Sequence, residues 1–216
     1  MKTITYGTFE PVKNVVVIGS GPSLAANFDG IRAYIQEKHP VVLACSYKYP
    51  IDADYTVYID PGQFRRFYRT VTTQKIIVAP PVYPTTEQKA AKQFYQLWLN
   101  HEVQPYDVKR FIVHPDGRVG HKLANCGFAS LFLSHFFCPH EVLIAGMDGP
   151  TPKGKVKRWN NRNTKYVQKD INRMEPKKRL LRDWLLPFVH SKGIVVKVFP
   201  NDPFWGCQKH VSVLGA

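Results

Sequence analysis

Short, almost uninterrupted apolar runs recur along the chain, at residues 15–18, 41–44, 55–59, 76–78, 111–113, 141–145 and 194–198. A strand with one wet face alternates apolar and polar residues. Runs as continuous as Val15-Val16-Val17-Ile18 instead fit strands covered on both faces. Between them the apolar spacing changes to the helical period, over residues 31–37, 63–71, 87–101, 126–137 and 171–190. Strand and helix in alternation predict an α/β fold, a single Rossmann-like domain over residues 1–216 with a mostly parallel sheet of roughly seven strands. In the last helical segment Ile171, Met174, Leu181, Leu185 and Phe188 share helical spacing beside Lys177, Lys178, Arg179 and Arg182, which predicts an amphipathic helix with a basic side. No internal repeat is present, and Pro80, Pro81 and Pro84 read as a loop rather than a domain linker.

Composition adds limits. A chain of 216 residues that is 44% hydrophobic and 13% aromatic supplies a sizeable core and is not a disordered polymer. No apolar run approaches the ~18 residues needed to cross a bilayer, and the start of the chain lacks an export signal, so a cytoplasmic protein without a transmembrane segment is expected. In that setting the four cysteines, Cys45, Cys126, Cys138 and Cys207, read as reduced thiols. Thirty Lys and Arg against 16 Asp and Glu leave a formal charge of +14, which favours polyanionic partners such as nucleic acid or a phosphorylated glycan. Much of that charge lies between Lys153 and Arg182, opposed only by Asp170 and Glu175. The first part, about 151–169, has no apolar period and reads as a basic lid loop in which Lys153 and Lys155 meet phosphates; the plainer reading is a solvated charge run.

One strand-to-turn junction carries the strongest local signal. After 15–18 come Gly19, Ser20, Gly21, Pro22 and Ser23, two glycines and then a proline suited to the first turn of a helix. Backbone amides in such a turn can face a phosphate, and on this reading a Cβ at Gly21 blocks the ligand while sparing the fold. Leu24 stands where a dinucleotide fingerprint has a third small residue, and Cys45-Ser46 where it has an acid, so a nicotinamide cofactor is disfavoured. A second junction is Asn125, Cys126 and Gly127 opening an apolar helix, followed by a strand that ends in Gly146-Met147-Asp148. Asn125 is a natural helix cap, and Asp148 lies where ligand crevices of open α/β sheets form.

Together these motifs resemble the bacterial lipooligosaccharide sialyltransferases, from about Val15 to Asp148 and more weakly over 171–200. They are also similar to archaeal hydroxymethylpterin pyrophosphokinases and to phage-encoded proteins sharing the same core; a phage origin implies the host cytoplasm. The resemblance implies a transferase that takes a nucleotide-activated donor, a CMP- or UDP-sugar, and glycosylates an acceptor hydroxyl, with modified DNA or a phosphorylated glycan as possible acidic acceptors. By position it implicates Gly19, Ser20 and Gly21, then Ser46, Asp60 before Pro61, and Cys126-Gly127. Pro150 and Val156 stand where the family has its tyrosine pair, and no histidine base precedes the last helix. Asp148 and Glu175 are therefore the expected bases, Asp148 the preferred one.

Two other classes compete. An ATP- and magnesium-dependent pyrophosphokinase would use Asp60 and Asp148 as ligands of a divalent metal. A non-catalytic nucleic-acid-binding protein would use Tyr47, Tyr49, Phe64, Phe67 and Tyr68 interleaved with Lys48, Arg65, Arg66 and Arg69. Asp52 and Asp54 sit before a strand rather than after it and read as loop acids. Cys138, His140, Cys207 and His210 lack zinc-finger spacing, so no protein-held metal is expected. A Cys126 nucleophile paired with His121 is weighed against Cys126 as a small core residue, the commoner use of a buried cysteine.

Overall fold

The computed structural model of the chain describes residues 2–3, 7–59, 63, 66–67, 70–71, 75–78, 105–107, 126–148, 155–157, 163–165, 178–199, 205 and 209–214. The strand expected at 111–113 and the helix expected at 87–101 lie outside these residues. In chain order the elements are β1 (Lys2–Thr3), β2 (Asn14–Ile18), α1 (Ser23–Ala26), α2 (Phe28–Lys38), β3 (Val41–Cys45), β4 (Tyr55–Tyr58), β5 (Ile76–Val78) and β6 (Pro105–Asp107). They continue with α3 (Cys126–Ser134), β7 (Glu141–Ala145), β8 (Lys155–Lys157), β9 (Asn163–Lys165), α4 (Leu186–Ser191), β10 (Val195–Val198) and β11 (Val211–Val213).

Nine strands form one sheet in the order β1-β6-β5-β4-β3-β2-β7-β10-β11, with every pairing parallel. The seven strands from β6 to β10 make the body of this α/β, Rossmann-like sheet, and the short β1 and β11 extend its edges. β2 illustrates why the apolar runs are continuous. Its residues alternate between two hydrophobic layers, Val15 and Val17 packing on the side of α3 and α4, and Val16 and Ile18 on the side of α1 and α2. A central parallel strand needs both faces apolar for this reason.

Helix α2 stops where its sequence stops it. His39 adopts a left-handed conformation (φ 44°), its amide bonds the Ile35 carbonyl at 3.0 Å, and Pro40 cannot continue the helix. Helix α3 is different, since every residue from Gly127 to Ser134 is buried. It lies across β2, β3 and β4 and is apolar on all sides, the pattern of a helix sunk in a core. In the last helical region the turn Leu181–Leu185 widens to i→i+5 bonding, with the Leu186 amide reaching the Leu181 carbonyl. Pro187 explains this widening, because its ring would collide with a carbonyl four residues earlier and it has no amide to donate. Leu181, Leu185, Leu186 and Val189 form the buried stripe.

The segment expected to be a basic loop contains regular structure. β8 and β9 pair antiparallel, with Lys155 in register with Lys165, Val156 with Thr164 and Lys157 with Asn163. The opposed β-branched pair Val156 and Thr164 favours that ladder. No helix among the described residues is long and apolar enough to cross a membrane.

His135 follows α3 in the core, only 4% exposed, with rings of Phe132, Phe136 and Phe188 around it and its Nδ1 bonded to the Phe132 carbonyl. Burial pushes its pKa from 6.5 down to about 4; the nearby Lys192 ammonium pushes the same way, while the Phe132 carbonyl opposes. The unfolded chain therefore takes up a proton near pH 6.5 that the native state refuses until about pH 4. Stability is full above about 6.5 and falls as pH drops through that window, by a few kcal/mol at ~1.4 kcal/mol per unit. Urea unfolding at pH 7.5 and pH 4.5 should show this fall. His135→Leu should flatten it while costing about 1 kcal/mol at neutral pH for the lost hydrogen bond.

Candidate functional site

The sheet order turns back at β2. From β2 the chain builds outward through β3, β4, β5 and β6, and then returns to place β7 on the other side of β2. Ligand crevices of open parallel sheets form at the carboxyl ends of two such strands. Here those ends carry the Gly19–Ser23 turn and the Gly146–Asp148 loop.

These loops are bonded to one another. The Gly19 amide donates to the Ala145 carbonyl at 2.7 Å, the Gly21 amide to the Gly146 carbonyl at 2.6 Å, and the Ser23 amide to Asp148 Oδ2 at 2.7 Å. Trp205, wholly buried against Phe128, donates its indole N–H to the Met147 carbonyl at 2.9 Å. The glycines make this approach possible. A Cβ on Gly21 would lie 2.4 Å from Asp148 Oδ2 and 2.8 Å from the Gly146 oxygen, and one on Gly146 would lie 2.4 Å from the Gly19 oxygen. Gly146 also has φ +67°, a conformation that disfavours other residues.

Two expectations change accordingly. The amides of Gly19, Gly21 and Ser23 are spent on the neighbouring loop, and Pro22 has none. Ser20 is thus the turn residue whose amide has no partner among the described residues, and the turn is not an open phosphate cradle. Nor is Gly21 dispensable to the fold, since its Cβ would strike protein rather than ligand. Asp148 was expected to be a crevice residue and not a support; it is a support through Oδ2. Its other oxygen, Oδ1, is buried and has no hydrogen-bond partner among the described residues. A buried polar atom left so is uncommon and costs about 1–3 kcal/mol unless something satisfies it.

A second cluster occupies the neighbouring strand tips. Ser46 follows β3 with φ 61°, and its amide and hydroxyl both point to the Val57 carbonyl, at 3.0 and 3.4 Å. Cys126, the first residue of α3, donates its thiol to the same carbonyl at 2.8 Å. The Cys45 sulfur lies 3.4 Å from the Ser130 hydroxyl, which bonds the Cys126 carbonyl at 2.9 Å. Cys45 and Cys126 also hydrogen-bond each other. The structure so brings Ser46, Cys126 and Gly127 to one edge with Gly19–Ser23 and Asp148. Asp60, Asn125, Lys153 and Glu175 lie outside the described residues, as does His121; Lys155 falls in β8.

Other sequence readings resolve locally. Asp54 accepts the Val42 amide at 2.8 Å and returns its own amide to the Val42 carbonyl at 3.0 Å, near the start of β3 and so away from the crevice. Tyr49, taken as a stacking residue for nucleic acid, is core, 4% exposed with its hydroxyl on the Cys45 carbonyl at 2.9 Å. Tyr47 and Phe67 meet edge to face at 5.0 Å, with Arg66 over Phe67. Among the described residues no group of three or more His, Cys, Asp or Glu could hold a metal ion. Sequence reasoning missed Trp205, Cys45 and Ser130, whose roles depend on contacts between distant segments.

No family model and no curated protein matches the chain. The site must therefore be tested on its own geometry. Gly21→Ala should lower stability by about 1–3 kcal/mol, because the added methyl overpacks a loop junction that cannot yield. Asp148→Ala should cost about 0.5–2 kcal/mol, as loss of a side-chain acceptor for a helix-start amide does. Asp148→Asn keeps an oxygen for the Ser23 amide and should melt close to the parent protein. Parallel thermal and urea unfolding of the three variants checks the order.

Proposed function

We propose that the chain is a transferase that binds a nucleotide-activated donor, of the nucleotide-sugar kind, at the carboxyl edge between β2 and β7. One observation carries the reading: Asp148 is fixed at the switch point by the Ser23 amide, yet keeps a buried carboxylate oxygen without a partner. An oxygen held there suits a donor hydroxyl or amine of a nucleoside, since a ligand group that satisfies a stranded acceptor gains what the free protein loses. The resemblance to sialyltransferase-like proteins points the same way and adds the sugar. With the glycine turn closed, donor phosphates would meet Ser20, the start of α3 and the basic residues around Lys153 and Lys155. Cations placed against a leaving phosphate stabilise the charge it develops.

Asp148 is in this reading the residue that orients the donor, and it is the preferred base for an acceptor hydroxyl because a base must lie within reach of the proton it takes. The excess positive charge of the chain suits an acidic acceptor.

Calorimetry with CMP, UDP, CMP- and UDP-sugars, GDP and ATP, each with and without magnesium, tests the proposal. A cytidine or uridine nucleotide should bind and, at a hundred times its dissociation constant, should stabilise the protein by about 2.7 kcal/mol. Asp148→Asn should weaken that ligand at least tenfold, or about 1.4 kcal/mol, while leaving the unliganded melting temperature unchanged. Selective binding of ATP with magnesium would instead favour phosphoryl transfer. Binding of DNA alone, falling steeply with salt, would favour the nucleic-acid reading.

A further inference from the structure

Cys45 and Cys126 are 81 positions apart in sequence, yet the fold delivers both thiols to one place. Cys45 is the last residue of β3 and Cys126 the first of α3. Around the pair stand the Ser130 hydroxyl, 3.4 Å from Cys45 Sγ, and the Val57 carbonyl, 2.8 Å from Cys126 Sγ. Cys45 is buried, whereas Cys126 is partly open to solvent. Two thiols in contact, one closed off and one reachable, are the arrangement in which an oxidised sulfur meets a resolving partner. The transferase reading uses neither sulfur, and the cluster's serines and carbonyl already satisfy the thiols' weak hydrogen-bonding needs.

We propose that Cys45 and Cys126 are a reversible redox pair, oxidised to a disulfide by a hydroperoxide that enters from the Cys126 side. The S–H···S contact lets the Cys126 proton pass to Cys45, leaving the exposed sulfur anionic. That sulfur attacks one peroxide oxygen, the O–O bond breaks, and hydroxide leaves, giving a sulfenic acid on Cys126. Cys45 Sγ then attacks the Cys126 sulfur, its S–O bond breaks, and water leaves with the Cys45 proton. In sum two thiols and one peroxide give one disulfide and two waters, with two electrons passing from sulfur to oxygen. Hydrogen bonds from Cys126 and from Ser130 hold Cys45 below the usual thiol range in spite of its burial, while burial and the neighbouring Cys45 raise Cys126. A resolving thiolate at Cys45 follows from that division.

The test uses the full chain, reduced and then treated with hydrogen peroxide under native conditions. Remaining thiols are alkylated after unfolding, and the protein is weighed intact and mapped by peptides. The expected result is loss of two of the four thiols, one cross-link joining Cys45 to Cys126, and full recovery with dithiothreitol. Cys45→Ser, close in size, should stop at a sulfenic acid on Cys126 that dimedone traps. A Cys138→Ser, Cys207→Ser double variant should form the cross-link as the parent does, and it bypasses any folding defect at the pair itself. Four alkylatable thiols after peroxide, or a link that joins Cys138 or Cys207 instead, would overturn the proposal.

Discussion

Two loops leave adjacent strands at the middle of the sheet, and the carboxyl edge depends on how closely their backbones meet. Gly21 and Gly146 are the means. With no Cβ they let one loop's amides bond the other's carbonyls at 2.6–2.7 Å, and that contact carries Asp148 to the Ser23 amide. Packed cores give way poorly to added atoms, so a side chain at either glycine would part the loops. The crevice is thus a consequence of sheet topology and of close backbone approach, not of a free-standing glycine turn.

The same contact decides which groups a ligand can use. Three of the turn's amides are already bonded within the protein, and the negative end of Asp148 occupies the place beside Ser23 where a phosphate would otherwise sit. What is left at this point is an acceptor, Asp148 Oδ1, rather than a set of donors. An acceptor selects hydroxyl and amine groups. This is why the nucleoside portion of a donor, and not its phosphates, is assigned to the space between β2 and β7, with phosphates assigned to cations and to the start of α3.

Much of the fold was legible in the sequence because parallel strands covered on both faces leave a plain mark. Val15–Ile18 and Glu141–Ala145 are apolar throughout for the reason that each serves two hydrophobic layers. The short edges β1 and β11 leave no such mark, since two or three residues bonded on one side need little burial. Lys155–Lys157 and Asn163–Lys165 pair in a segment so rich in charge that only the Val156 and Thr164 register hints at a strand. At the site, Gly19, Gly21 and Asp148 were readable as strand-end residues. Their mutual bonding was not, because Ser23 and Asp148 are 125 positions apart and nothing local records that they meet. Trp205 and the Cys45 and Cys126 pair were invisible for the same reason: a tertiary contact has no period.

The most direct test of the account is a residue-resolved one, two-dimensional amide NMR with carboxyl carbon detection while CMP or UDP is titrated into the protein. The account requires saturable shifts concentrated at Ser20, Gly21, Ser23 and Met147, with the side-chain carboxyl carbon of Asp148 among those that move most. Saturable binding that leaves the Asp148 carboxyl and the Ser23 amide unmoved, with shifts confined to the basic residues between Lys153 and Arg182, would contradict it.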